Sequence, residues 1–174
     1  MENTATPVTP SAVAVRYGLL VGLISIIISF ALNAAELEQT PAKWLTTVVL
    51  IGGIVLAQKF FKQQNGGFMT YGQGFAIGAI LSAINGVLSA IFSYVYMNFI
   101  DPDFATRIMN KARADMEAQG NLSEEQIAQA MSFTAKFMNG PLMMATVLFM
   151  ILLVGILVTL LISAFTKNPR PEFE

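Results

Sequence analysis

The sequence predicts an all-α fold: a four-span transmembrane helical bundle with an amphipathic helical hairpin between spans three and four. Three observations lead there. Of 174 residues, 55% are hydrophobic and 12% are charged, whereas a soluble domain carries roughly 25% charge. Mean hydropathy is +0.61. Four stretches approach or exceed the roughly 20 apolar residues that a helix needs to cross a bilayer. The polar stretch between the last two has helical periodicity and caps.

Span one covers Tyr17 to Ala34, "YGLLVGLISIIISFALNA". A cleaved signal peptide is the rival reading. Against it stand a long leading segment whose one cation is Arg16, no clean A-x-A site around Asn33 to Ala35, and an apolar run beyond the usual 7–15 residues or so. Span two covers Trp44 to Phe61 and is the shortest and least clean, with Lys59 close enough to its end to snorkel. The loop "KQQNGGFMTYGQG" follows. Gly67 and Gly72 have phosphate-loop spacing, but Gln73 stands where that motif needs lysine, so a turn at Gly66–Gly67 is expected. Span three covers Gly74 to Ile100 and span four Leu142 to Phe165. One membrane domain over 16–166 results, with residues 1–15 and 167–174 as disordered tails.

The excursion between spans three and four opens on "DPDF". Asp101 suits an N-cap and Pro102 a first helical position. Asp103 stands four residues before Arg107, the favourable order for a helical ion pair. The two carboxylates therefore end the membrane segment and start a surface helix; "DPDFATR" lacks the oxygens and central glycine of a calcium loop. That helix is expected from Pro102 to about Gln119, stopped by Gly120. Phe104, Ile108, Ala112 and Met116 form its apolar stripe, widened by Met109. Ser123 and Gln126 make a capping box for a second helix, with Ile127, Ala130, Met131, Thr134, Phe137 and Met138 on one face. This methionine-rich face either packs on itself and the span ends or grips a partner or the outer leaflet. Its candidate partner contacts are Phe104, Ile108, Met116, Ile127, Met131 and Phe137.

There is no cysteine and no histidine, so acid–base work would fall to carboxylates, Lys or Tyr. Neither G-x-S-x-G nor H-E-x-x-H occurs. An enzyme is not expected, nor a cofactor or a metal. A net charge of −1 advertises no nucleic-acid surface. No acidic or basic residue lies well inside a span, which counts against a proton-coupled transporter. Asn85 is the most polar side chain deep in span three, as a helix–helix contact or part of a polar path. Small residues recur at Gly74, Gly78, Ser82, Gly86 and Ala90, and on span one at Gly18 and Gly22, with Ser25 and Ser29 on an adjoining face. Such stripes let helices approach closely, within one chain or between copies.

An even number of spans puts both termini on one side. Arg16, Lys59, Lys62, Lys167 and Arg170 lie there, against Lys43, Arg107, Lys111, Arg113 and Lys136 on the other. The numbers tie, but the first set hugs span ends, which favours cytoplasmic termini and an extracytoplasmic 101–140 loop. Aromatic belts are expected at Trp44, Tyr94, Tyr96 and Phe99, and at Tyr17, Phe60, Phe61, Phe68 and Tyr71.

"GFMTYGQGF" (67–75), "YVYMNFIDPDF" (94–104), "LSEEQIAQAM" (122–131) and "KFMNGP" (136–141) together resemble an uncharacterised bacterial membrane family, domain of unknown function 4199. The resemblance spans roughly Arg16 to Phe165. It implies a small four-span protein with a helical segment between spans three and four and brings no activity or site residues; the expected location is the bacterial inner membrane. The expected function is a non-enzymatic interaction or scaffold protein, with the bilayer and a second copy or another membrane protein as partners. The alternative is a carrier or channel for a neutral or small solute.

Overall fold

The computed structural model describes residues 8–138 and 140–171. Among them run six α-helices and no strand: α1 (Pro10–Ala34), α2 (Trp44–Gln64), α3 (Tyr71–Val95), α4 (Phe104–Gln119), α5 (Glu124–Phe137) and α6 (Gly140–Thr166). A single 3-10 turn, Pro41–Lys43, precedes α2, and a π-turn, Tyr96–Ile100, extends α3. Four segments are long and apolar enough to cross a membrane: Pro10–Ala34, Pro41–Gln64, Tyr71–Ile100 and Gly140–Thr166. The chain groups into two compact units, one running up to Ser89 and resuming at Phe149, the other Ala90–Leu148.

The first unit holds α1, α2, most of α3 and most of α6. Its helix ends follow local chemistry. The Thr9 side chain accepts from the Ala12 amide at 3.2 Å and Pro10 takes the first helical position. Consequently α1 starts at Pro10, and residues 10–15, read from sequence as tail, are helical with Val13 and Ala14 buried. Gly66 and Gly67, at φ 66° and 86°, make the turn after α2 as expected, in the left-handed region glycine tolerates. Thr70 and Gln73 form a capping box at α3: the Thr70 amide donates to Gln73 Oε1 at 2.9 Å, and the Gln73 amide to Thr70 Oγ1 at 3.2 Å. Beyond α6 the backbones of Met69 and Asn168 exchange two N–H···O bonds of 2.8 Å. The described part of the C-terminal tail is therefore docked, correcting the disordered expectation; residues 1–7 and 172–174 lie outside the described residues.

The core of this unit gathers Val13, Ala14 and Val21 of α1, Leu50, Ile54, Ala57 and Phe61 of α2, and Ile77 and Leu81 of α3, with Met69 from the turn. Close approach needs the small residues. A Cβ on Gly18 would stand 3.0 Å from Ile84, one on Gly22 would clash with Leu88, and one on Gly53 would clash with Val21. The α1 stripe thus packs on α3. Gly78 faces Thr159, Gly155 faces Ser82, and Gly74 lies under Ser163, so the α3 stripe packs on α6. At Gly18, Gly22, Gly74, Gly78 and Ser82 the stripes are occupied within the chain.

The second unit holds the end of α3, the π-turn, the α4–α5 hairpin and the start of α6. The π-turn closes with the Asp101 amide on the Tyr96 carbonyl at 2.8 Å, and Asn98 Nδ2 donates to the Tyr94 carbonyl at 2.8 Å. Pro102 and Asp103 form a tight turn in which the Phe104 amide bonds the Asp101 carbonyl at 3.1 Å, so α4 starts at Phe104 rather than Pro102. Gly120 ends it at φ 65°, and the Ser123–Gln126 capping box forms with both bonds present. Two expected belt aromatics are instead packed inside their own units: Phe61 is 1% and Tyr96 3% exposed. Trp44 (62%) and Phe99 (74%) are exposed as a belt requires.

Candidate functional site

The hairpin follows the sequence pattern closely. On α4 the less exposed positions include Phe104, Ile108, Met109, Ala112 and Met116; on α5 Ile127 is buried, while Ala130, Met131, Thr134, Phe137 and Met138 are half-buried. Six candidate partner contacts were expected there. Ile127 is 4% exposed and Phe104, Ile108, Met116, Met131 and Phe137 are half-buried. The Phe104 ring meets Tyr96 edge-on at 5.4 Å. α4 and α5 pack against each other, as amphipathic helices do through their apolar stripes. Phe133 remains outside that stripe at 61% exposure, its ring centre 4.9 Å from that of Phe137 with the planes tilted by 54°.

The carboxylates at the start of the hairpin take unequal roles. Arg107 forks onto Asp101, with Nη2–Oδ2 at 2.6 Å and Nη1–Oδ1 at 3.1 Å. The expected partner, Asp103, is exposed. Its place four residues before Arg107 gave way because the Pro102–Asp103 turn lets Asp101 meet the guanidinium plane with both oxygens. The Arg107 hydrogen bonds hold the Asp101 carboxyl below the usual carboxylate range. Desolvation opposes them as the next largest effect, and the guanidinium charge and the amides of Asp103 and Phe104 add to the lowering. The rest of α4 is laced by Lys111–Asp115 at 3.1 Å and Arg113–Glu117 at 2.8 Å. Among the described residues no three His, Cys, Asp or Glu side chains gather to hold a metal.

Among the described residues of the apolar helices, the best satisfied polar side chain is one that no sequence motif marks. Gln58 of α2 is fully buried. Its Nε2 donates to the Gly74 carbonyl at 3.0 Å and to Ser163 Oγ at 2.9 Å, while Oε1 receives Thr166 Oγ1 at 2.5 Å. One residue thereby ties α2, α3 and α6 together. Lys62, one turn on, donates to the Thr166 carbonyl at 3.0 Å and closes the end of α6. A signal was present: Leu50, Ile54, Ala57, Gln58 and Phe61 share one buried stripe of α2, so helical spacing directs Gln58 inward.

Asn85 is likewise buried, at 4% exposure. Its Oδ1 has no hydrogen-bond partner, and the same holds for Ser25 Oγ, Ser82 Oγ and Thr159 Oγ1. Such orphans are uncommon because each costs about 1–3 kcal/mol. A groove of about 360 Å³ between α1 and α3 is wholly apolar, lined by Leu19, Ala83, Ile84, Val87 and Leu88.

Residues 16–168 match a family model described as "Protein of unknown function (DUF4199)". No curated protein and no solved structure matches the chain.

Proposed function

Because this chain belongs to the family described as protein of unknown function DUF4199, we propose its role from the geometry: a non-enzymatic interaction protein of the bacterial inner membrane. The four apolar helices act as a rigid anchor and the α4–α5 hairpin as the contact element. The observation that supports this most is the Gln58 lock. The best-bonded intramembrane polar side chain joins three helices instead of lining a route. Since the hairpin's apolar stripe is engaged in packing, the contact surface falls on its outer residues, chiefly Phe133.

A photo-crosslinking residue at position 133, in the full chain in its native membrane, tests this reading. A discrete protein adduct, whether a second copy or another membrane protein, is expected. Adducts to lipid alone would refute it.

The runner-up is a carrier or channel for a neutral or small solute. It is favoured by the orphaned atoms of Ser25, Ser82, Asn85 and Thr159, which a passing solute could satisfy. A single cysteine at position 85 decides this: modification by a small water-soluble thiol reagent supports a polar path, and resistance removes it.

A further inference from the structure

One end of the first unit carries a pocket that neither reading uses. Asn65, Phe68, Thr70, Gln73, Pro169 and Arg170 contribute to its lining, and its volume is about 510 Å³. That lies within the range of about 300–1,000 Å³ typical of small-molecule sites. One wall is the α2–α3 turn and the other is the segment after α6. The Met69–Asn168 bridge fixes them together, and Asn168 Nδ2 adds a bond to the Gly67 carbonyl at 2.9 Å. Arg170 stands between two prolines, which stiffen its backbone, and its guanidinium lies 5.5 Å from the centre of the Phe68 ring.

The hydrogen-bond pattern leaves a donor available on each polar side chain of this lining. Gln73 Oε1 is taken by the Thr70 amide, so the carboxamide N–H₂ is what Gln73 can offer. Thr70 Oγ1 accepts from the Gln73 amide, which leaves its hydroxyl proton for another acceptor. Asn65 Nδ2 gives one hydrogen to the Phe68 carbonyl at 2.8 Å and keeps a second. Arg170 adds a planar fork of charged donors. No Asp or Glu of the described residues belongs to this end, which also carries Arg16, Lys59, Lys62 and Lys167; Glu2, Glu172 and Glu174 lie outside the described residues. The stretch from Gly67 lacks the lysine of a phosphate loop, and here an arginine from the other end of the chain supplies the cation.

We propose that this pocket binds a phosphate-bearing anion, with the headgroup of an anionic phospholipid as its source. Phosphate oxygens match the donor set, and guanidinium recognises them bidentately. The pocket opens where α2 and α6 end and α3 begins, which is headgroup depth for helices that cross a bilayer. The proposal rests on the membrane-spanning reading of these helices and is independent of the hairpin's role.

The test uses the full chain in phosphatidylcholine nanodiscs at constant ionic strength, reading the thermal midpoint as phosphatidylglycerol is titrated in. Phosphatidylglycerol is expected to raise the midpoint of the wild type. Arg170→Gln should weaken the apparent affinity about tenfold, the value of one charge-assisted contact. Arg16→Gln, on the same end but outside the pocket, should leave it unchanged. A third arm adds inorganic phosphate to phosphatidylcholine discs. A midpoint rise there that Arg170→Gln abolishes, without one from phosphatidylglycerol, supports the phosphate site and overturns the lipid as its source. Equal losses in the two arginine variants, or no response to either anion, overturn the site itself. A chain that stays dispersed without detergent or lipid would instead remove the membrane reading on which it rests.

Discussion

At the scale of single residues, the interior of the first unit separates polar groups that bind from polar groups that do not. Gln58 is the first kind. Gln58→Leu keeps the volume approximately but removes its bonds to the Gly74 carbonyl, Ser163 and Thr166. Interhelical hydrogen bonds in membranes contribute about 0.6–1.7 kcal/mol each, so a loss of about 1–3 kcal/mol is expected in detergent unfolding. Thr159 is the second kind: its hydroxyl is fully buried without a partner. Thr159→Val removes that orphan at similar volume, and the same assay should show no loss. A clear destabilisation by Thr159→Val would mean that the hydroxyl is satisfied in the native membrane, by water or solute, and would move weight to the carrier reading. Gln58 was legible in principle from the α2 stripe. It was obscured because it precedes Lys59 and sits where a span was ending. No sequence pattern foretold that Asn85 would have an orphaned oxygen, because that depends on which helix faces it.

At the scale of elements, caps and stripes were legible because they are local. The capping box at Ser123, the stop at Gly120, the Gly66–Gly67 turn and both hairpin faces all follow from neighbours within a turn or two. The Arg107 partner was not, since the i,i+4 rule presumes a helix that already includes Asp103, and the helix starts one residue later. This pair has a pH consequence. The Asp101 carboxyl titrates below its ordinary value when folded. Its contribution is therefore complete above the unfolded value of about 3.9 and is lost as pH falls through the depressed folded value. Asp101→Asn should accelerate amide exchange in the first turns of α4 at neutral pH. The difference from wild type should close only in acid below that range; a difference that persists there would assign the effect to shape instead of charge. Glycines give a second contrast. Gly78→Ala drives a methyl into Thr159, whereas Gly52 has open space around its Cβ position. The first should cost about 1–3 kcal/mol through overpacking. Gly52→Ala should gain about 0.5–1 kcal/mol through helix propensity. Thermal midpoints in one detergent read both.

At the scale of the whole molecule, the sequence yields spans by summation, since length and apolarity need no knowledge of neighbours. The least clean stretch is indeed the least apolar of the four, and the last is the most apolar. Orientation is a weaker sum: five cations against five gave a tie. Acid placement sharpens the physical picture without entering the positive-inside rule. Among the described residues Arg16, Lys59, Lys62, Lys167 and Arg170 share their end of the chain with no carboxylate, whereas Arg107, Lys111 and Arg113 each have an acidic partner or near neighbour on α4. Unpaired cations beside span ends are the ones that resist translocation and meet anionic lipid. The natural chain has no cysteine, so orientation can be read directly. A single cysteine at exposed Asp115 should react with a membrane-impermeant maleimide on intact spheroplasts, while one at Lys167 should react only after lysis. The opposite pattern would invert the molecule. It would place the hairpin in the cytoplasm and turn the donor-rich pocket toward the outer leaflet, where the cations at that end would no longer explain the insertion.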